Sequence, residues 1–223
     1  MKLKNLPGGG SQLTKPLEEV SLERAKSKTH VAFVLDRSGS MELIEQATVK
    51  AYNTQLQTIR NKSEHDVRSY LTRFDDQIEV LLENEPVLAL TELRRLYPRG
   101  ATALFDAVGD TIDKVESHRK GDEAALVVVI SDGEENCSRT WSQQQLKRNI
   151  LRLTETGLWT FVFIGPEHVA QQMAGLGFKT ENIQSVSQQL LPEAFEKSSA
   201  NLGRYLEARN VGGLLPAYFG GDS

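Results

Sequence analysis

The feature that most constrains this chain is an apolar run that stops abruptly at oxygen-bearing side chains, within residues 30–41. Residues 31–35 are all apolar, and Asp36, Ser38 and Ser40 follow at alternate positions. A short continuous apolar run that ends in turn-forming residues is typical of a strand buried on both faces of a parallel sheet. Ligands of open α/β sheets bind at the carboxyl edge, so we expect these three side chains to converge there.

Two later stretches bring further oxygen atoms to the same predicted edge. Thr102 lies in a glycine-containing loop, just before a run whose apolar positions have helical spacing. Asp132 and Gly133 follow a second apolar run, at residues 126–130. All of these groups are hard oxygen ligands, which favour a hard divalent cation such as Mg²⁺.

Each of these residues also has a purely structural interpretation. Ser40 and Thr102 are good helix N-caps, and Asp36 and Asp132 are typical turn residues. Three separate strand or loop ends would have to carry such residues by coincidence, so we favour a shared site.

The three stretches together resemble the von Willebrand factor A (VWA) domain. The resemblance extends in order and spacing over residues 28–200, and it rests on Asp36-Arg-Ser38-Gly-Ser40, Gly100-Ala-Thr102 and Ile130-Ser-Asp132-Gly. Members of that family bind Mg²⁺ at a metal-ion-dependent adhesion site (MIDAS). The resemblance therefore implies a metal site at this sheet edge.

The resemblance also implies a role for each residue. Ser38 and Ser40 are expected to bind the metal directly, and Thr102 directly or through water. Asp36 and Asp132 are expected to act through bound waters or as hydrogen-bond acceptors behind the ligands. Mn²⁺ or Ca²⁺ are expected substitutes for Mg²⁺.

Such a site is suited to binding a protein rather than to catalysis. When water separates both carboxylates from the ion, an exchangeable position remains for an Asp or Glu of a partner protein. We therefore expect a Mg²⁺-dependent protein–protein interaction module that is not an enzyme. Two alternatives stay open: a metal-dependent hydrolase or phosphatase, and a scaffold whose metal site is structural and idle.

Composition excludes several other classes of function. The chain has 223 residues, 39% of them hydrophobic and 25% charged, which is enough for one α/β domain with a full core. The net charge of −4 gives no indication of nucleic-acid binding. The apolar runs are of strand length, so we expect no membrane span.

The remaining features favour a cytoplasmic protein. Cys137 is the single cysteine, which argues against a disulfide framework. The N-terminal residues contain glycines and no apolar stretch typical of a signal peptide. The resemblance is to intracellular bacterial and phage-type VWA proteins. It implies that this chain is an adaptor whose partner is a MoxR-type AAA+ ATPase or another operon-encoded protein.

Strand-like and helix-like runs alternate, which predicts a doubly wound, mostly parallel sheet flanked by helices, with one antiparallel edge strand. We expect a flexible arm at residues 1–27, a VWA domain at 28–209 and a tail at 210–223. The tail either folds back, is disordered or serves as a docking peptide. Helices are expected at 41–62, 103–120, 141–156, 167–176 and 192–209, and residues 67–74 and 77–82 are expected to form a hairpin.

Several charged residues near the motifs allow two interpretations. Arg37 and Arg99 either clamp a partner carboxylate or are simply exposed to solvent. Asp75 and Asp76 are better explained as turn residues than as acid/base groups. The segment 134–136 is expected to form a solvated rim around the site.

Overall fold

The computed structural model of the chain describes residues 28–63, 66–89, 91–213 and 217–220. The predicted N-terminal arm, at residues 1–27, lies outside the described residues. Six strands form one sheet in the order β3-β2-β1-β4-β5-β6. The strands are β1 (Thr29–Asp36), β2 (Val67–Phe74), β3 (Ile78–Pro86), β4 (Ala124–Ile130), β5 (Trp159–Gly165) and β6 (Ile183–Ser185).

All strand pairs are parallel except the β2–β3 hairpin, which is antiparallel and places β3 at one edge. The turn between them contains Asp75, whose carboxylate Oδ1 accepts a hydrogen bond from the Gln77 N–H at 2.8 Å. The prediction of a mostly parallel sheet with one antiparallel strand is therefore confirmed, and so is the turn at Asp75.

The central strands have apolar side chains on both faces, and helices pack against both faces of the sheet. They are α1 (Glu45–Lys62), α2 (Leu104–His118), α3 (Gln143–Glu155), α4 (Glu167–Gly175) and α5 (Leu191–Asn210). Every residue of β1 is buried, and its apolar side chains alternate between two hydrophobic clusters. Val31 and Phe33 pack with α1 and α5, and Ala32 and Val34 pack with α2, α3 and α4.

The prediction of one helix over residues 41–62 is wrong at its start. A 3-10 helix occupies Gly39–Leu43, and α1 begins only at Glu45. The Met41 N–H donates to the Ser38 carbonyl at 3.0 Å, which is the tight i to i+3 pattern of a 3-10 turn. Leu43, the last residue of this 3-10 helix, is 85% exposed.

The described part of the tail folds back onto the domain. The Tyr218 N–H donates to Asn182 Oδ1 at 2.8 Å, and its hydroxyl donates to the Ser198 carbonyl at 2.9 Å. The Phe219 N–H donates to the Glu181 carbonyl at 3.0 Å. Of the three alternatives for the tail, folding back is the one that residues 217–220 follow, while residues 214–216 and 221–223 lie outside the described part.

None of the helices in the described ranges combines the length and the apolar character needed to cross a lipid bilayer.

We expect the Tyr218→Ala substitution to lower the free energy of unfolding by about 3–5 kcal/mol, because it removes a fully buried aromatic ring. Tyr218→Phe should cost about 1 kcal/mol, because it removes only the hydroxyl hydrogen bond. Urea unfolding measures both. Val211→Ala is the control, since this side chain is 73% exposed, and it should change stability by less than about 0.5 kcal/mol. Wild-type stability of Tyr218→Ala would contradict the packing of the tail against the domain.

Candidate metal centre

The parallel register of the two central strands brings the two site carboxylates together. Leu35 of β1 pairs with Ile130 of β4, so both strands end at the same level of the sheet. Asp36 is the last residue of β1, and Asp132 follows two residues after the end of β4. This is the carboxyl edge at which the sequence predicts a site.

Short hydrogen bonds connect the predicted ligands to each other. The Ser38 N–H donates to Asp36 Oδ1 at 2.6 Å, and the Ser40 hydroxyl donates to Asp132 Oδ1 at 2.6 Å. The hydroxyl oxygens of Ser38 and Ser40 are 3.1 Å apart. Four of the five predicted side chains thus form one connected group.

Thr102 completes the group from the other side of Gly133. A Cβ atom placed on Gly133 would lie 2.7 Å from Thr102 Oγ1 and 3.3 Å from Ser38 Oγ. Only a residue without a side chain leaves this space between the two hydroxyl oxygens. The structure thus places the Thr102 hydroxyl beside that of Ser38, across Gly133, and Thr102 makes no N-cap hydrogen bond to α2.

The site is open on one side. Asp36, Ser38, Thr102 and Asp132 are buried, whereas Ser40 is exposed. Among the described residues no cluster of three or more His, Cys, Asp or Glu side chains is arranged to hold a metal ion. The groups that converge at this edge are instead two carboxylates and three neutral hydroxyls, and such oxygen donors fit a hard divalent cation.

Sequence comparison decides the family. The profile of the family described as VWA domain containing CoxE-like protein matches residues 4–160. This chain belongs to the VWA family. No curated protein has a significant sequence match to it.

Solved structures share the fold at low sequence identity. A mussel byssus protein, proximal thread matrix protein 1 "with zinc occupied MIDAS motif", aligns with a TM-score of 0.56 at 15% identity, over 83% of this chain and 46% of that one. A von Willebrand factor type A protein from Catenulispora acidiphila aligns at 0.54 and 14%, over 79% and 43%. The ArnB paralog VWA2 from Sulfolobus acidocaldarius aligns at 0.53 and 19%, over 77% and 45%. The VWA chain spans less than half the length of each.

Burial dominates the electrostatics of the VWA site. It raises the pKa of Asp36 to about 6 from an ordinary value of 3.8. Hydrogen bonds from Ser131 and Ser38 oppose this shift, and the negative charge of Asp132 adds to it. Burial therefore disfavours the ionised form of Asp36 when no cation is bound. A bound cation would stabilise that ionised form.

An ion-pair network lies beside the site and includes Arg37. The sequence analysis left Arg37 either exposed to solvent or bound to a partner carboxylate, and both alternatives are wrong. This residue is buried, and its guanidinium is 3.0 Å from Asp75 Oδ2 and 2.7 Å from Glu79 Oε2. Arg99 is half exposed, and its Nε donates to the same Asp75 oxygen at 2.8 Å. Arg37 is thus neither solvent-exposed nor available to a partner, because its ion pairs connect the loop after β1 to the turn between β2 and β3.

Asp75 pairs with both arginines of this network. The interpretation of Asp75 as a turn residue did not include these contacts. Burial alone would raise the pKa of Asp75, but hydrogen bonds from Arg99 and Gln77 and the charge of Arg37 outweigh it and lower the pKa. The carbonyl of Asp75 also accepts the Ala103 N–H at 2.8 Å, next to Thr102. The hairpin therefore supports the loop that carries Thr102.

The expectation of a solvated rim at residues 134–136 holds only in part. Glu134 and Asn136 are exposed as expected, but Glu135 is half-buried, and its carboxylate accepts the Phe105 N–H at 2.8 Å and so caps the start of α2. Asn136 Oδ1 accepts the Thr102 N–H at 2.9 Å. These long-range contacts had no local signal in the sequence.

Ser131 is a further residue that the sequence analysis missed. Its hydroxyl donates to Asp36 Oδ2 at 2.6 Å, so both oxygens of Asp36 are hydrogen-bonded. A signal was present, because Ser131 stands directly after β4 and directly before Asp132. Pairing β1 with β4 in register would have placed it opposite Asp36.

We expect Gly133→Ala to reduce Mg²⁺ affinity at least about 10-fold, because the new methyl group would displace Thr102 Oγ1. Isothermal titration calorimetry measures the affinity, and circular dichroism checks the fold. Gly175→Ala is the matched control, since a Cβ there meets nothing within 4 Å. Unchanged Mg²⁺ affinity in Gly133→Ala would contradict the arrangement of Thr102 and Ser38 around this glycine.

The raised pKa of Asp36 predicts a pH dependence in EDTA. The folded protein holds the Asp36 proton up to about pH 6, whereas the unfolded chain releases it near 3.8. Asp36 therefore makes the metal-free protein less stable as the pH rises from about 4 to 6, by about 3 kcal/mol. Urea unfolding between pH 4 and 7 measures this loss as the difference between wild type and Asp36→Asn. Parallel pH profiles of the two proteins would show that Asp36 does not titrate in this way.

Proposed function

We propose that this VWA chain is a Mg²⁺-dependent protein-binding module whose partner presents an Asp or Glu side chain. The observation that carries the proposal is the convergence of two carboxylates and three hydroxyls at one sheet edge, open on the side of Ser40. Ser38, Ser40 and Thr102 would hold the metal, with Asp36 and Asp132 beside them.

A bound divalent cation supplies a Lewis-acidic position that a carboxylate oxygen can occupy. The chain itself contributes two carboxylates, which balance the charge of one such cation, and neutral hydroxyls, which leave its attraction for a further anion intact. Mn²⁺ or Ca²⁺ would serve as substitutes. The zinc-occupied MIDAS named for the mussel protein supports a divalent ion at this place in the fold.

The surroundings of the site favour binding over catalysis. His30 lies near the start of β1, about 20 Å from Asp36 at the other end of the strand. It is hydrogen-bonded there to Tyr70 at 2.9 Å and to Glu123 at 3.0 Å. His168 is exposed on α4, which follows β5, and β4 separates that strand from β1. His30 is therefore too far away to act as a general base for Ser38 or Ser40, and His168 follows a strand that is two places from β1.

The family resemblance supports the proposed partner, and the composition supports the proposed compartment. A MoxR-type AAA+ ATPase or another operon-encoded protein is the candidate partner, and its acidic residue would approach from the exposed side of Ser40. The single cysteine, Cys137, suits a reducing compartment such as the cytoplasm.

We expect the purified chain to retain a partner from source lysate in Mg²⁺ and to release it in EDTA. Asp36→Ala should lose the partner, because it removes a carboxylate that balances the cation. Asp122→Ala, an exposed carboxylate outside the metal loops, should retain it. Mass spectrometry of the eluates identifies what is bound.

Three other results would replace this proposal. Retention that survives both EDTA and Asp36→Ala would place the binding surface elsewhere and leave the metal structural. Absence of Mg²⁺ binding by the wild type would remove the proposed metal site. Phosphatase or nuclease turnover abolished by Asp36→Ala would favour the metal-dependent hydrolase.

A further inference from the structure

Thr102 is not held in place by the helix that follows it. Helix α2 has Ala103 as its N-cap, and Thr102 makes no capping hydrogen bond to it. Instead, two early amides of α2 donate to the side chains of Glu135 (2.8 Å) and Ser138 (3.0 Å). The start of the helix is therefore capped from the loop after β4, and the hydroxyl of Thr102 is left for the site.

Asn136 brackets the backbone of Thr102 from both sides. The Thr102 N–H donates to Asn136 Oδ1 at 2.9 Å, and the Asn136 N–H donates to the Thr102 carbonyl at 3.0 Å. These two bonds fix the peptide groups on either side of the Thr102 Cα atom. Because the direction of Cβ follows from the backbone, they also fix the point from which Oγ1 extends toward Gly133.

Asn136 is itself anchored within a closed loop. The neighbouring Glu135 carboxylate accepts the amides of Cys137 at 3.0 Å and Ser138 at 2.7 Å. The same carboxylate binds the start of α2, so the segment that carries Asn136 is fixed relative to that helix. The segment that presents the Asn136 side chain is thus anchored by the hydrogen bonds of Glu135.

We propose that Asn136 is a positioning residue that sets the distance of Thr102 Oγ1 from Ser38 and so determines metal affinity. The inference rests on the proposed metal site. Asn136 acts through Thr102, and removal of its Oδ1 atom would let the Thr102 loop move away from Gly133. Partners that orient metal ligands in this way typically change metal affinity by 10- to 100-fold.

A double-mutant cycle on purified protein tests this mechanism. Mn²⁺ affinity, measured by electron paramagnetic resonance, should fall about 10-fold in Asn136→Ala. The same substitution in the Thr102→Ala background should change affinity less than about 2-fold, because the ligand that it positions is already absent. Asn61→Ala, an exposed asparagine on α1, is the control and should bind as wild type does.

Hydrogen exchange of the Thr102 amide gives a second readout that needs no metal. In EDTA, Asn136→Ala should exchange this amide at least about 10-fold faster than wild type, because its acceptor is gone. Asn136→Asp keeps an acceptor oxygen and should retain the protection.

The outcomes separate the inference from the proposed function. An equal loss of affinity in both backgrounds, no loss in the wild-type background, or unchanged Thr102 exchange would each overturn the role of Asn136 while leaving the metal site in place. Failure of wild type to bind Mn²⁺ or Mg²⁺ would overturn the proposed function, and this inference with it.

Discussion

The parallel pairing of β1 with β4 is the constraint on which the rest of the structure depends. It ends both strands at one level, with Leu35 opposite Ile130, and so brings the carboxylates of Asp36 and Asp132 into one buried edge. Burying carboxylates without a counter-ion is unfavourable, and the raised pKa of Asp36 reflects that penalty. Hydroxyl and amide donors reduce the penalty without removing it. The edge is consequently a part of the central sheet that is less stable than apolar packing alone would make it.

Loops that lie far apart in the sequence hold this edge in shape. On one side, Asp75 binds Arg37 and Arg99, and its carbonyl binds the residue after Thr102. On the other side, the loop after β4 caps α2 and, through Asn136, holds the backbone of Thr102. Thr102 thus lies between two supports that follow the strands on either side of β1. Such buried ion pairs and hydrogen bonds add little net stability, but they define one arrangement of the loops.

The sequence was sufficient for those features that depend on local pattern. Apolar runs identified the strands, and turn residues identified the hairpin at Asp75 and the ends of β1 and β4. The sequence was insufficient where a side chain finds its partner across the fold. Arg37 was expected to face solvent or a partner because nothing nearby revealed its pairing with Asp75 and Glu79, which lie on the distant hairpin. The sequence places the start of the first helix too early. The 3-10 helix at Gly39–Leu43 contains apolar residues that would also fit the first turn of an α-helix.

The bracing of the site also determines how it can act. The loops are ordered by contacts made during folding, so their conformational entropy is lost before any metal or partner arrives. Most ligand atoms are buried, and Ser40 is the exposed member, so access is restricted to one direction. A cation that enters from there would meet the Ser40 hydroxyl, hydrogen-bonded to Asp132, and Thr102, whose backbone Asn136 holds. Loops already ordered by such contacts would lose less conformational entropy on binding, and Asn136, outside the proposed ligand set, is one of the residues that order them.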